Sequence, residues 1–271
     1  MRVPSYEACP LCLRRITPPS ARCESHLLPA QVYRLLRAKG QRNPNPILIS
    51  GSKVVTTSRQ LQQPLLCPDC EDRFNNRGER WVLASAFTEH GTFTLRDLLL
   101  QAQPLHKTDR LVVIAASQIT GIDCAQLGYF AASVFWRAAV AEWASLGPSV
   151  HIDLGPYLEP LRRFLLDESP FPDNTALCIR VLTMHELLQT AEVPVTTCSQ
   201  PWFIHQFSIP GIAFSLSVGG RLSDEFRRLC FIKSPEHFIF LVPELDAQMW
   251  MAGARLYLEG VAAQANRELT T

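Results

Sequence analysis

The sequence predicts an α+β protein in two parts, a cysteine-framed N-terminal module and a mixed helical and antiparallel-β domain after it. Three observations carry this expectation. Two C-x-x-C pairs, Cys9 with Cys12 and Cys67 with Cys70, frame the first quarter of the chain. Two segments, 71–87 and 123–145, place apolar residues at helical spacing. From about residue 176 onward, short β-branched and aromatic runs alternate with turn signals. Helices followed by mostly antiparallel strands make an α+β pattern. With 271 residues, 47% of them hydrophobic, the chain can bury a substantial core.

The elements follow in chain order. Residues 1–28 read as a knuckle, a loop and a short strand. Pro29 opens a helix through Lys39, with Val32, Leu35 and Leu36 on one face and Gly40 ending it. Asn43, Pro44, Asn45 and Pro46 break the chain. Residues 47–50 and 53–56 flank Gly51-Ser52 as a two-residue hairpin. A helix then runs from about Glu71 into Phe87, with Phe74, Trp81 and Ala84 or Phe87 facing the core, and Gly91 closes the module. The second part begins near residue 91. Thr94 caps a short helix, 95–101. Residues 111–116 read as a buried strand or a helix start. Asp123 caps a long helix through Ser145 that is apolar nearly all round, which places it at the core. A further helix spans roughly 156–167. Strands are expected at 176–183, 202–208, 211–218, 228–233 and 237–242, with Pro210-Gly211 turning between two of them. A final helix covers about 245–268.

Cysteine usage and charge narrow the chemistry. The nine cysteines are odd in number, and five fall within the first 70 residues. No run reaches the roughly 18 apolar residues of a membrane span, and no apolar signal core precedes the knuckle, so the expected location is the cytoplasm. In that compartment paired C-x-x-C motifs mean a metal, and four thiolates make a closed tetrahedral site for structural Zn²⁺. Cys124, Cys178, Cys198 and Cys230 read as buried small hydrophobes. Cys23 is either a spare thiol or a substitute ligand. Residues 1–80 hold 13 Lys and Arg against 6 Asp and Glu, a net of +7, while the rest of the chain carries −6. A basic block around a metal site points to DNA or RNA, or equally to a solvated arginine-rich surface.

Within the frame lie Glu24-Ser25-His26-Leu27-Leu28-Pro29, and directly after Cys70 come Glu71, Asp72 and Arg73. This layout resembles the zinc-bearing HNH endonucleases of the ββα-metal, treble-clef type over roughly residues 6–90. The resemblance implies that His26 is the general base. It implies that Ser25 and Glu71 hold a divalent Mg²⁺ or Mn²⁺. The helix pattern offers Asn75 and Asn76, one turn on, as further oxygen ligands, and Glu24 and Asp69 are nearby in sequence. Arg73, Arg77 and Arg80 would touch phosphates. Phosphodiester hydrolysis suits this set, because imidazole titrates near neutrality and a hard cation prefers oxygen ligands. Two departures stand out. Serine replaces the usual aspartate before the histidine, and glutamate replaces the usual His or Asn after the last cysteine.

The chain also resembles a group of uncharacterised bacterial proteins that pair C-x-x-C, Ser-His-x-x-Pro and C-x-x-C-(Asp/Glu) elements with a helix containing Trp-Arg, here Trp136-Arg137. Two functions are therefore expected, a metal-dependent nuclease or a non-catalytic zinc-stabilised binding or assembly module in a bacterial or phage complex. The second would use the C-terminal domain for a protein partner. In the second function His26 hydrogen-bonds a carbonyl or joins the metal shell, and Glu71 is a solvated carboxylate on a helix N-terminus. His90, His106, His151, His185, His205 and His237 are isolated, and Gly219-Gly220 reads as a turn.

Overall fold

The computed structural model describes residues 8–17, 21–36, 60–88, 90–109, 111–144, 149–183, 191–199, 202–220, 222 and 224–242, and the strand pairing of 47–50 and 53–56. The expected helix end at 37–40, the breaker 43–46, the turn Gly51-Ser52, His185 and the helix 245–268 lie outside the described residues.

The strand β1 (Cys23–His26) leads into the helix α1 (Ala30–Leu35), then β2 (Ile47–Ser50), β3 (Lys53–Thr56) and β4 (Gln62–Leu66). β1 and β4 pair antiparallel, with Cys23 opposite Leu66 and His26 opposite Gln62. Helix α2 (Pro68–Phe74) runs through a π turn (Asn75–Glu79) into α3 (Arg80–Ser85). Next come α4 (Thr94–Gln101), β5 (His106–Lys107), β6 (Val112–Ala115), α5 (Cys124–Val140), α6 (Leu158–Leu165), β7 (Thr175–Leu182), β8 (Glu192–Ser199), β9 (Trp202–Ile209), β10 (Ile212–Val218), α7 (Asp224–Arg228) and β11 (Phe238–Val242).

Nine strands form one sheet in the order β3-β2-β8-β9-β10-β7-β11-β6-β5. Most neighbours are antiparallel, while β11 with β7 and β2 with β8 are parallel. Packing crosses the expected boundary at residue 90, because the hairpin β2–β3 extends the large sheet through Ile49 opposite Glu192.

Helix α5 explains this continuity. Asp123 caps it through Oδ1, which accepts the Gln126 N–H at 2.9 Å. Every residue from Leu127 to Ala139 is buried. One side meets the sheet, with Phe130 5.6 Å from Phe214 and Phe135 4.9 Å from Phe207 between ring centroids. Another side meets the cysteine module, where Phe74 sits edge-on to Tyr129 at 6.1 Å and to Trp136 at 6.0 Å. Gly78 in the π turn lets the two helices approach, since a Cβ there would lie 2.9 Å from Phe130 Cα.

Four expectations need correction. The segment 228–233 is no strand: α7 ends at Arg228, and the chain turns through 229–236. β8 was not expected because Pro194 interrupts it; the register shifts between Glu192 and Val195, and a bulge is where a strand tolerates proline. Helix α5 stops at Val140 rather than Ser145, since Trp143 pairs as a bridge with Val150. Thr94 is the first residue of α4 rather than its cap. Segment 111–116 resolves into β6 followed by a 3₁₀ turn at Ala116–Gln118.

Candidate metal centre

Two local structures bring four sulfurs together. In the first, the Cys9 N–H donates to the Arg14 carbonyl at 2.9 Å and the Leu13 N–H to the Cys9 carbonyl at 2.8 Å. Leu13 takes a left-handed φ of +60° to close this turn, which brings Cys12 back over Cys9. In the second, β4 delivers Cys67 to the start of α2, Pro68 opens the helix, and the Cys70 N–H donates to the Cys67 carbonyl at 3.1 Å. Cys67 and Cys70 thus sit at a helix N-terminus, where partial positive charge favours thiolates.

The sulfurs of Cys9, Cys12, Cys67 and Cys70 all lie within 4.8 Å of one another, and Cys12 Sγ is 3.8 Å from Cys67 Sγ. A tetrahedral ion with bonds of about 2.3 Å spans about 3.8 Å between ligands, so this group can hold a metal such as zinc. It is the one such group among the described residues, and Cys23 is not part of it. The Cys9 thiol is pulled down to about 4 by hydrogen bonding with Cys70 and by the backbone N–H groups of Cys12, Cys67 and Leu11. Cys70 is pushed up chiefly by the same exchange with Cys9, and Cys67 by burial. Sulfurs this close cannot all ionise unless a cation compensates them. Arg14 adds an outer charge, with Nε 3.4 Å from Cys12 Sγ and Nη2 2.6 Å from Asp69 Oδ2.

Beside this group lies the Ser-His pair at the end of β1. Ser25 is fully buried; its Oγ donates to Glu71 Oε2 at 2.6 Å and accepts the Leu66 N–H at 3.4 Å. The Glu71 carboxyl is pushed up by burial and drawn back by Arg137, then by the Ser25 bond; Glu79 and His26 also act on it. His26 is half-buried, and no ring hydrogen bond is found for it among the described residues.

Arg137 ties this corner to the rest of the protein. It is 1% exposed, and its Nη1 donates to the His26 carbonyl at 2.7 Å. Its Nη2 lies 2.7 Å from Glu79 Oε1, an ion pair in which the two groups are not aligned as donor and acceptor. Its Cζ sits 5.4 Å from the centre of the Phe74 ring.

The sequence-predicted residues distribute unevenly. Ser25 and Glu71 meet at 2.6 Å, while His26, next to Ser25 on β1, acts on Glu71 through charge. Arg73 donates Nε to the Leu165 carbonyl at 2.8 Å, and Arg73 and Arg77 both pair with Asp167. Arg77 also stacks over Tyr129, its Cζ 4.8 Å from the ring centre. Arg80 is exposed and has no ion-pair partner among the described residues. Asn75 and Asn76 are exposed on the π turn, Glu24 is exposed, and Asp69 is taken by Arg14. Sequence reading missed Glu79, Arg14, Asp167 and the work of Arg137. Arg137 had a signal, being the one charged residue in α5.

Comparison of the chain with family models, with curated proteins and with solved structures finds no match.

Proposed function

We propose that the chain is a nucleic-acid-directed, HNH-like zinc protein of treble-clef type that hydrolyses phosphodiesters with a divalent cation. The observation that carries this reading is the meeting of Ser25 and Glu71 at 2.6 Å beside His26, 46 residues apart in sequence and directly next to the Cys₄ group. The knuckle, the antiparallel pair β1–β4 and the cysteine-bearing start of α2 support the treble-clef reading. Zinc on Cys9, Cys12, Cys67 and Cys70 is structural here, since four thiolates leave no open position.

A catalytic Mg²⁺ or Mn²⁺ fits the donor set modestly. Glu71 offers a carboxylate and Ser25 a hydroxyl, and Mg²⁺ commonly takes one or two carboxylates and completes its shell with water and substrate phosphate. When bound, such a cation offsets charge on the phosphate oxygens. His26 takes the proton from the attacking water. The main-chain bond from Arg137 fixes the strand end that carries it. Arg80, with the outer faces of Arg73 and Arg77, offers phosphate contacts. The location consistent with this reading is the cytoplasm.

A second reading, a non-catalytic binding or assembly module with a protein partner at the C-terminal part, is favoured by one feature. Arg137 pairs with Glu79 and acts on Glu71 from within the protein, so part of the charge of this acid cluster is offset without a metal.

One experiment separates the two. Plasmid DNA and RNA are incubated with the zinc-loaded chain and Mg²⁺ or Mn²⁺ over a salt series. Nuclease activity predicts cleavage that His26→Ala lowers by ~10²–10⁴-fold with zinc content and fold intact. It also predicts binding that weakens steeply with salt. Salt-dependent binding without cleavage by any divalent ion establishes the module reading. Neither binding nor cleavage removes both nucleic-acid claims.

A further inference from the structure

The large sheet has a second face, turned away from α5. Phe207 and Phe214 point toward α5, so strand alternation sends Gln206, Ser215, Cys178 and Arg180 to the other side. The ladder makes them neighbours. Ser215 stands opposite Cys178 on β7 and Gln206 on β9, and Phe240 on β11 stands opposite Arg180. They line a cavity of about 310 Å³, whose apolar walls include Ala176, Ile204, Leu229 and Phe240.

Arg180 is the unusual member. Its Nη2 donates to Ser215 Oγ at 2.9 Å, while its Nε is buried and has no hydrogen-bond partner. No carboxylate lies within ion-pair distance of it among the described residues. Glu192 feels its charge, but from beyond contact. A half-buried arginine with an unpaired Nε–H, beside a cavity with apolar walls, is set up for an anion. Two features define the anion. One guanidinium edge matches one carboxylate bidentately, whereas a phosphate dianion would leave a charge unpaired among apolar walls. The volume stands at the small end of ligand pockets. Burial pushes the Cys178 thiol up to about 11, so it stays protonated and the site binds without covalent chemistry.

We propose that this cavity is a binding site for a small monocarboxylate with an apolar body, seated on Arg180 and Ser215 with its body against Phe240 and Leu229. The inference is independent of the nucleic-acid reading, because it uses no residue of the cysteine module.

The test uses the full zinc-loaded chain and two probes of equal length, octanoate and octan-1-ol. Titration calorimetry reads affinity, and ¹H–¹⁵N spectra including the arginine Nε–H region read position. Octanoate is expected to bind about tenfold or more tightly than octanol, shifting the Arg180 Nε–H and the amides of Ser215 and Gln206. Arg180→Met should erase that preference. Arg180→Lys, which keeps the charge and loses the fork, should keep part of it. Equal affinity for the two probes overturns the proposal, as does no binding at millimolar concentration or shifts that map elsewhere. The wild-type comparison decides the matter even if a variant fails to fold.

Discussion

Arg137 and His205 are buried polar residues with opposite accounts. Arg137 is satisfied by charge, since Glu79 lies 2.7 Å away and the His26 carbonyl accepts its Nη1. Removing one partner of a buried pair leaves the other uncompensated, which typically costs about 3–5 kcal/mol. Arg137→Met should therefore destabilise the chain by about that much in denaturant unfolding. Arg137→Met combined with Glu79→Met should be more stable than the single variant, because no charge is stranded. A single variant within about 0.5 kcal/mol of wild type would contradict this account. His205 is fully buried, its Nδ1 2.8 Å from Thr196 Oγ1 and its Nε2 without a partner. Burial pushes its pKa down to about 4, with Asp153 opposing. The sign follows from linkage, because the unfolded chain binds the proton more readily. Stability carried by neutral His205 is full above about pH 6.5 and is lost as pH falls through about 4. Ring resonances should titrate near pH 4, and a midpoint above 6 would show the ring to be solvated.

At the scale of elements, the helix through residues 68–85 carries most of the site. Its π turn adds one residue to the helical repeat, so Glu79 falls where i+7 from Glu71 would fall in a regular helix. That insertion brings both acids toward Arg137 while Asn75 and Asn76 face solvent. Gly78 in this turn lies against the backbone of α5. Gly78→Ala puts a methyl 2.9 Å from Phe130 N and Cα, which side-chain rotation cannot relieve. The expected loss is about 1–3 kcal/mol, read as a lowered melting temperature with zinc content unchanged. An unchanged melting temperature would mean that the two helices are looser than described.

For the molecule as a whole, α5 is the layer shared by the cysteine module and the sheet. Phe74, Val82 and Leu83 belong to the same buried core as Phe130, Phe207 and Phe214. A fragment of residues 1–90 loses α5 and leaves Phe74 without Tyr129 and Trp136. Burial of one such aromatic contributes roughly 1.5–3 kcal/mol, and a small module has little to spare. With zinc present, that fragment should show poorly dispersed amide spectra and no cooperative unfolding. A well-dispersed spectrum would make the module an independent domain. In the full chain, Cys67→Ser should release the metal and unfold the N-terminal part with it, since metal binding is folding energy. Elemental analysis that finds no zinc in unchelated wild type would remove this expectation.

Short-range features were legible in the sequence. The C-x-x-C spacing announces a four-sulfur group because each pair closes within one tight turn, and all four ligands do meet within 4.8 Å. Asp123 announces the start of α5, and alternation announces β7, β9 and β10, because capping and strand period are local properties. What depended on distant partners was not legible. Pro194 hid β8 because a bulge is decided by the neighbouring strand. Arg73 and Arg77 read as free cations because Asp167 is about ninety residues away in the chain. Arg137 read as a marker in an apolar helix, and only packing of α5 against Phe74 puts its guanidinium on the His26 carbonyl and Glu79. The sequence by itself determined which side chains can hold a metal. The tertiary structure decided which charges are already paired, because pairing depends on distances that burial sets across the whole chain.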